Sequence, residues 1–254
     1  EMCIRDRLWK IGERCDTMDY IEAGSLSFSE LNETIRSAGA KCRVSACLGQ
    51  RFIAAGMSRK SIEIDGIPGN ALGAYLDGSE IEVMGNVQDA VGDTMNFGMI
   101  AVHGSAGDAV GYAMRGGEIY VRDNAGYRAG IHMKAYADRF PVIVIGGKCG
   151  SFLGEYQAGG LIIVLGNGID DDELIGHFCG TGMHGGRIFL RCREIRKTLP
   201  AQVKCSEADA EDIASVEKYL KKYEELFGIG AVRDDGKKFY VLRPNTKNPY
   251  KQLY

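Results

Sequence analysis

The sequence is poor in most features that would announce a site. Tryptophan occurs once and proline 5 times in 254 residues. Lysine plus arginine (31) nearly balances aspartate plus glutamate (34), leaving a net charge of −3. No strong field therefore favours nucleic acid or an anionic membrane. No apolar run approaches the roughly 20 residues that a membrane span needs. The 8 cysteines include no C-x-x-C pair, and no secretion-signal pattern is read at the start. Reduced thiols in a cytoplasm are expected rather than a disulfide framework. Residues 1–19 are set aside as a non-native or disordered leader, because EMCIRDRLWK (1–10) has no counterpart downstream.

Glycine is what the chain has in excess, with 35 residues, about twice the usual share of roughly 7%. With only 5 prolines and no every-third-residue pattern this is not collagen, and a hydrophobic content of 45% excludes a disordered chain. The glycines align instead. Gly73, Gly92, Gly111, Gly130, Gly154 and Gly180 stand 19, 19, 19, 24 and 26 residues apart. Isoleucine recurs in step at 62, 81, 100, 119, 143, 162 and 188, and two residues on stand Ile64, Val83, Val102, Val121, Ile145, Val164 and Leu190. An apolar pair of period two, repeated every 19 residues, is a short strand with one buried face. Leu76, Met95, Met114, Met133, Gln157 and Met183 form a further inward column, and Cys179 belongs to the column just before the glycines. The period is broken by additions within 134–141 and 166–176, which read as loops.

Connections this short cannot hold helical crossovers, which take about a dozen residues. The pattern therefore predicts a mainly β protein: a right-handed single-stranded parallel β-helix over 41–192, about 19 residues per coil. Seven or eight coils are expected, with a partial one at Cys42–Val44. The six aligned glycines are its structural corners, where a positive φ or a close backbone approach is needed. Short helices flank it. Residues 20–40 are an N-terminal capping segment whose Ser29–Ala38 stretch carries Leu31 and Ile35 four apart behind a serine cap. Residues 193–254 are a C-terminal helix and tail packing on the solenoid. Ser206 to Asp209 reads as the helix start, and Ile213, Val216, Leu220, Tyr223 and Phe227 form its apolar stripe. The outward strand column turns from Glu63 and Glu82 to Tyr120, Val144, Ile163 and Phe189. Those last four are a candidate partner interface or the bed of the C-terminal helix.

No catalytic arrangement emerges. Gly104–Gly107 and Gly146–Gly150 do not match a phosphate loop. His177, Cys179 and His184 do not have zinc spacing. Asp170–Glu173 lacks the alternation of a calcium loop. Asp89 and Asp108 occupy equivalent positions one coil apart, as a glycosidase pair or as corner-fixing hydrogen-bond acceptors. No catalytic, cofactor-binding or metal residue is assigned.

Several runs carry a resemblance: CGQRFIAAGM (47–56), GIPGNALGAYLDG (66–78), GDAVGYAMRGG (107–117), GYRAGIHMK (126–134), PVIVIGGKCGSFLGEYQAGG (141–160) and GTGMHGG (180–186). Over about residues 20–254 the chain closely resembles the C-terminal β-helical GXGXG domain of the glutamate synthase large subunit. That repeat also occurs in a component of formylmethanofuran dehydrogenase. The tail FYVLRPNTKNPYKQLY (239–254) is similar to the end of stand-alone versions. The resemblance implies a non-catalytic scaffold in an oxidoreductase complex that makes glutamate from glutamine and 2-oxoglutarate. Its partners would be glutaminase and synthase subunits, and FMN and the iron–sulfur cluster would belong to those partners, not to this chain. Two alternatives stand beside it: the scaffold of a formylmethanofuran dehydrogenase, against which the synthase-like tail argues, and a free enzyme with an outer-face site.

Overall fold

A computed structural model describes residues 17–230 and 232–245. Most of the leader, the end of the tail, Cys3 and Cys15 lie outside the described residues. Nine strands pair in parallel, in chain order, into one sheet: β1 (Asp19–Glu22), β2 (Lys41–Leu48), β3 (Ser61–Ile67), β4 (Asp77–Val83), β5 (Phe97–Val102), β6 (Gly117–Val121), β7 (Pro141–Ile145), β8 (Ala158–Val164) and β9 (Gly185–Cys192). The isoleucine column stacks without a slip, Ile62 on Ile81 and so on through Ile100, Ile119, Ile143, Ile162 and Ile188. All seven are buried. A one-residue slip would turn every one of these side chains to the outer face, so the pattern itself holds the register.

The solenoid starts earlier than the repeat alone indicates. Cys42 and Val44 pair with Ile62 and Ile64, and Ile21 pairs with Val44. The segment before residue 41 thus supplies a strand as well as a cap. Helix α1 (Phe28–Ser37) inserts between the first two strands and buries Leu31 and Ile35. Its cap is Ser27, not Ser29: the Ser27 hydroxyl accepts from Glu30 N–H while the Glu30 carboxylate accepts from Ser27 N–H. Ser27 is the residue whose partner three positions on is a glutamate, and that reciprocity fixes the start.

Each coil has three sides. One is the sheet. A second is a ladder of bridges through Val87, Ala106, Ala125, Cys149 and Ile175. The third is a turn in which every second residue is left-handed, as at Ala109, Gly111 and Ala113 (φ 58°, 65° and 50°). Beyond β9 the sheet continues antiparallel, with β11 (Lys238–Pro244) beside β9 and β10 (Val203–Glu207) at the edge. Helix α2 (Ala210–Phe227) begins three residues later than Ser206 suggests. Ser206 pairs with Val241 in the sheet, and Asp209 caps the helix in a box with Asp212. Gly228 ends it in the left-handed conformation, φ 63°.

Candidate functional site

The six aligned glycines all sit at the middle left-handed position of a turn, with φ from 63° to 72°. Conformation alone does not require glycine, because the flanking positions carry Ala90, Arg128, Phe152 and His132 at similar φ. The middle position differs in what lies in front of it. A β-carbon on Gly111 would come within 2.5 Å of Ile143 Cδ1, and the equivalent contacts at Gly73, Gly92 and Gly154 are 2.5–2.7 Å, each with the isoleucine of the following coil. From Gly73 to Gly154 the glycine and isoleucine columns of the sequence are two halves of one packing contact, whereas Gly180 in the last turn faces Met183 and Val203 at 3.0 Å.

Asp89 and Asp108 are corner acceptors. Asp89 Oδ1 accepts from Asp108 N–H at 2.9 Å, and Asp108 Oδ1 accepts from Tyr127 N–H at 2.8 Å. A parallel run joins Asn86, Ser105, Asn124 and Lys148 through side-chain oxygens and the next coil's N–H groups. Each such oxygen takes a donor that would otherwise lack a partner at the corner.

The outer apolar column is covered by the C-terminal helix. Tyr120, Val144, Ile163 and Phe189 are all 0% exposed and form one cluster with Val216, Tyr219 and Tyr223 of α2. The reason is complementarity of two stripes: α2 has one apolar face, and the column is the apolar bed wide enough to take it. Polar contacts pin both ends. Buried Asp212 accepts from Arg187 and Arg243, and Tyr223 Oη donates to the Arg122 carbonyl at 2.7 Å. Burial works to raise the Asp212 carboxyl, but Arg243 and Arg187 hold it below the ordinary range.

Titratable groups are tied up in structure. Burial pushes the Cys47 thiol up to about 11 and those of Cys149 and Cys192 to about 12, far from the reactive thiolate range. Cys179 faces the core as its column indicates, and burial raises its thiol as well. Among the described residues no three His, Cys, Asp or Glu side chains gather as metal ligands. Glu82 and His103 form a close pair, Oε1 to Nε2 2.6 Å, with the His103 and Phe227 rings nearly perpendicular and their centroids 5.0 Å apart.

Two of the open grooves among the described residues are walled by an α-helix. One, about 770 Å³, lies between α1 and the first turns, walled by Phe28, Phe52 and Tyr75 and rimmed by Glu33, Arg36 and Asp93. The other, about 580 Å³, runs beside α2 between Lys218 and Lys222, the strand residues Glu80 and Glu118, and Phe140 of the first added segment. That segment reaches back to the solenoid through Arg139 and Asp77, 3.3 Å apart. The second is tied by Glu173 to Lys148 at 2.6 Å and by Asp171 to the N–H of Arg193. The grooves escaped the sequence reading because each is made by elements from different repeats.

A family model described as the GXGXG motif matches residues 16–238. An uncharacterized protein of Methanocaldococcus jannaschii is 42% identical over 248 residues, covering 92% of this chain and 95% of its own length. No helix among the described residues is long and apolar enough to cross a membrane.

Proposed function

The chain belongs to the GXGXG motif family, and on that premise we propose that it is a scaffold subunit of a glutamate synthase-type assembly, holding a glutaminase and an FMN- and iron–sulfur-bearing synthase subunit in fixed relation. The observation that carries this reading is the unbroken inter-coil bonding. Strand, bridge and turn ladders tie each coil to the next, so that two points on the surface keep their separation. Such a body transmits position and has little to contribute to bond-making.

The described residues do not fit the iron–sulfur cluster that the wider family implies. An iron–sulfur cluster needs several thiolates around one point. Here five of the six described cysteines are buried, burial raises the thiols, and no ligand group forms among the described residues. In this reading the cluster and FMN belong to the partner subunits.

Affinity purification of the tagged full-length chain from its own cells tests the reading. A yellow flavoprotein together with a glutaminase, in fixed ratio, is the expected result. Recovery of a molybdenum or tungsten protein, or of the chain alone, would overturn it.

A further inference from the structure

The hydrogen bonds between turns have a direction. The first and third left-handed residues donate forward to the next coil, and the middle one donates back. Thus Ala109 N–H reaches Tyr127 O and Ala113 N–H reaches Ile131 O, while Gly111 N–H reaches Val91 O, at 2.7, 2.9 and 2.7 Å. The set recurs at Phe152 and Tyr156, which donate to His177 O and Thr181 O, and at Gly154, which donates back to Ala129 O.

Such a ladder has two ends, and they are finished differently. In the first turn Ala54 N–H has no preceding coil to reach, and Ala54 is fully buried. Asn32 of α1 closes that end: its Oδ1 accepts from Ala54 N–H at 2.8 Å, and its amide donates to Phe52 O and Phe28 O. A side-chain amide stands in for the missing peptide. In the last turn the left-handed residues are Phe178, Gly180 and Gly182, φ 62°, 72° and 69°. Gly180 N–H donates back to Leu153 O as the pattern requires. Among the described residues no acceptor meets the N–H of Phe178 or of Gly182. The other two sides at this end are finished, the sheet by β11 and β10 and the core by Ile195, Leu199 and Val203. At the open turn Phe178 is 55% exposed, its ring stacked on Phe152 with ring centroids 5.0 Å apart.

We propose that the turn 177–182 is the docking point for a loop of a partner subunit that lies on it as a further turn would. The loop presents two main-chain carbonyls to Phe178 N–H and Gly182 N–H and an apolar side chain to the Phe178 ring. The forward-donating pair in every earlier turn is met by carbonyls four residues apart, such as Asp89 O and Asp93 O on Ala71 and Tyr75, which defines the spacing that the loop must offer. A second copy of this chain stacked head to tail does not fit, because the side of its first turn that would meet the open end is covered by Asn32 and α1. We take the occupant to be a different chain, and this inference rests on the assembly proposed above; amides 178 and 182 already slow in the free chain would show instead that this chain's own residues cover the turn.

Amide hydrogen exchange on the full chain, alone and in complex with the glutaminase and FMN-bearing subunits, tests it. In the free chain the amides of 178 and 182 should exchange fast and those of 152 and 156 slowly. In the complex the first pair should slow at least about tenfold. Phe178→Asp should weaken the complex by about tenfold or more while leaving the thermal midpoint unchanged, since the ring is exposed and not core. Phe178→Gly, which keeps both N–H groups and the left-handed backbone, should weaken it less. A complex that forms with both amides still fast, and with Phe178→Asp binding like the wild type, overturns this inference and leaves the assembly intact. Slowing by inorganic phosphate alone overturns it in favour of a small-anion site, and failure of any complex to form overturns both.

Discussion

Gly146 and Tyr223 define where the C-terminal helix lies. The Tyr223 hydroxyl reaches over Gly146 to the Arg122 carbonyl at 2.7 Å, and a β-carbon on Gly146 would fall on that hydroxyl and come within 2.9 Å of Cζ. Gly146→Ala should therefore lift the helix from its bed at a cost of about 2–4 kcal/mol. Tyr223→Phe, which loses only the hydrogen bond, should cost about 1 kcal/mol. Chemical denaturation of the two variants measures both, and equal losses would contradict the notch.

The middle and flanking left-handed positions of a turn should respond oppositely to substitution. Gly111→Ala meets both the φ of 65° and the Ile143 contact, and should destabilise by about 2–4 kcal/mol. Ala109→Gly relieves an alanine held at φ 58°, and should be neutral or stabilising by up to about 1 kcal/mol after the extra chain entropy of glycine is subtracted. Ile143→Val removes the δ-methyl that a β-carbon at 111 would strike. It should cost less in the Gly111→Ala background than in the wild type, as a double-mutant cycle will show.

Ile163→Asp places a carboxylate under α2, in a site that is fully buried. The expected outcome is loss of about 3 kcal/mol or more of stability, with exposure of the apolar bed to a hydrophobic dye. Weakened assembly of a chain as stable as the wild type would indicate that the helix leaves this face in the complex.

Asp212 gives the helix anchor a pH dependence. Burial works against its charge, but the Arg243 and Arg187 partners win and its carboxyl stays below the ordinary 3.8. A carboxyl lowered in the folded state contributes stability that is present above its unfolded value and is lost as pH falls through the folded one. Stability should hold above about pH 4 and decline below it, more shallowly in Asp212→Asn. Acid titration of the thermal midpoint of both proteins reads this difference. Identical slopes would remove Asp212 from the anchor.

Some of this was legible in the residues and some was not, for identifiable reasons. The isoleucine and glycine columns were readable because a fixed coil length stacks equivalent residues, so the packing contact between them repeats along the sequence as well as in space. The helix stripe Val216, Leu220 and Tyr223 was readable, but its landing site was not. The column Tyr120 to Phe189 is equally apolar whether a partner or the helix covers it, and contacts such as that between Tyr223 and Arg122, 101 residues apart, place the helix there. Ser206 had the right chemistry for a cap, and pairing with Val241 overrode it. Asn32 gave no signal, since one amide on a short helix looks like any other until Ala54 is seen to need an acceptor.

The sequence by itself determined the solenoid. Repeated apolar pairs with connections too short for crossovers admit one way of burying every coil, and a slip of one residue would expose them all. Only the tertiary structure decided which outer face is covered and which turn is left open. Those depend on where α1, α2 and β11 come to rest. Each occurs once, so no repetition along the chain could announce it, and its position follows from single contacts such as Asn32 with Ala54 and Tyr223 over Gly146.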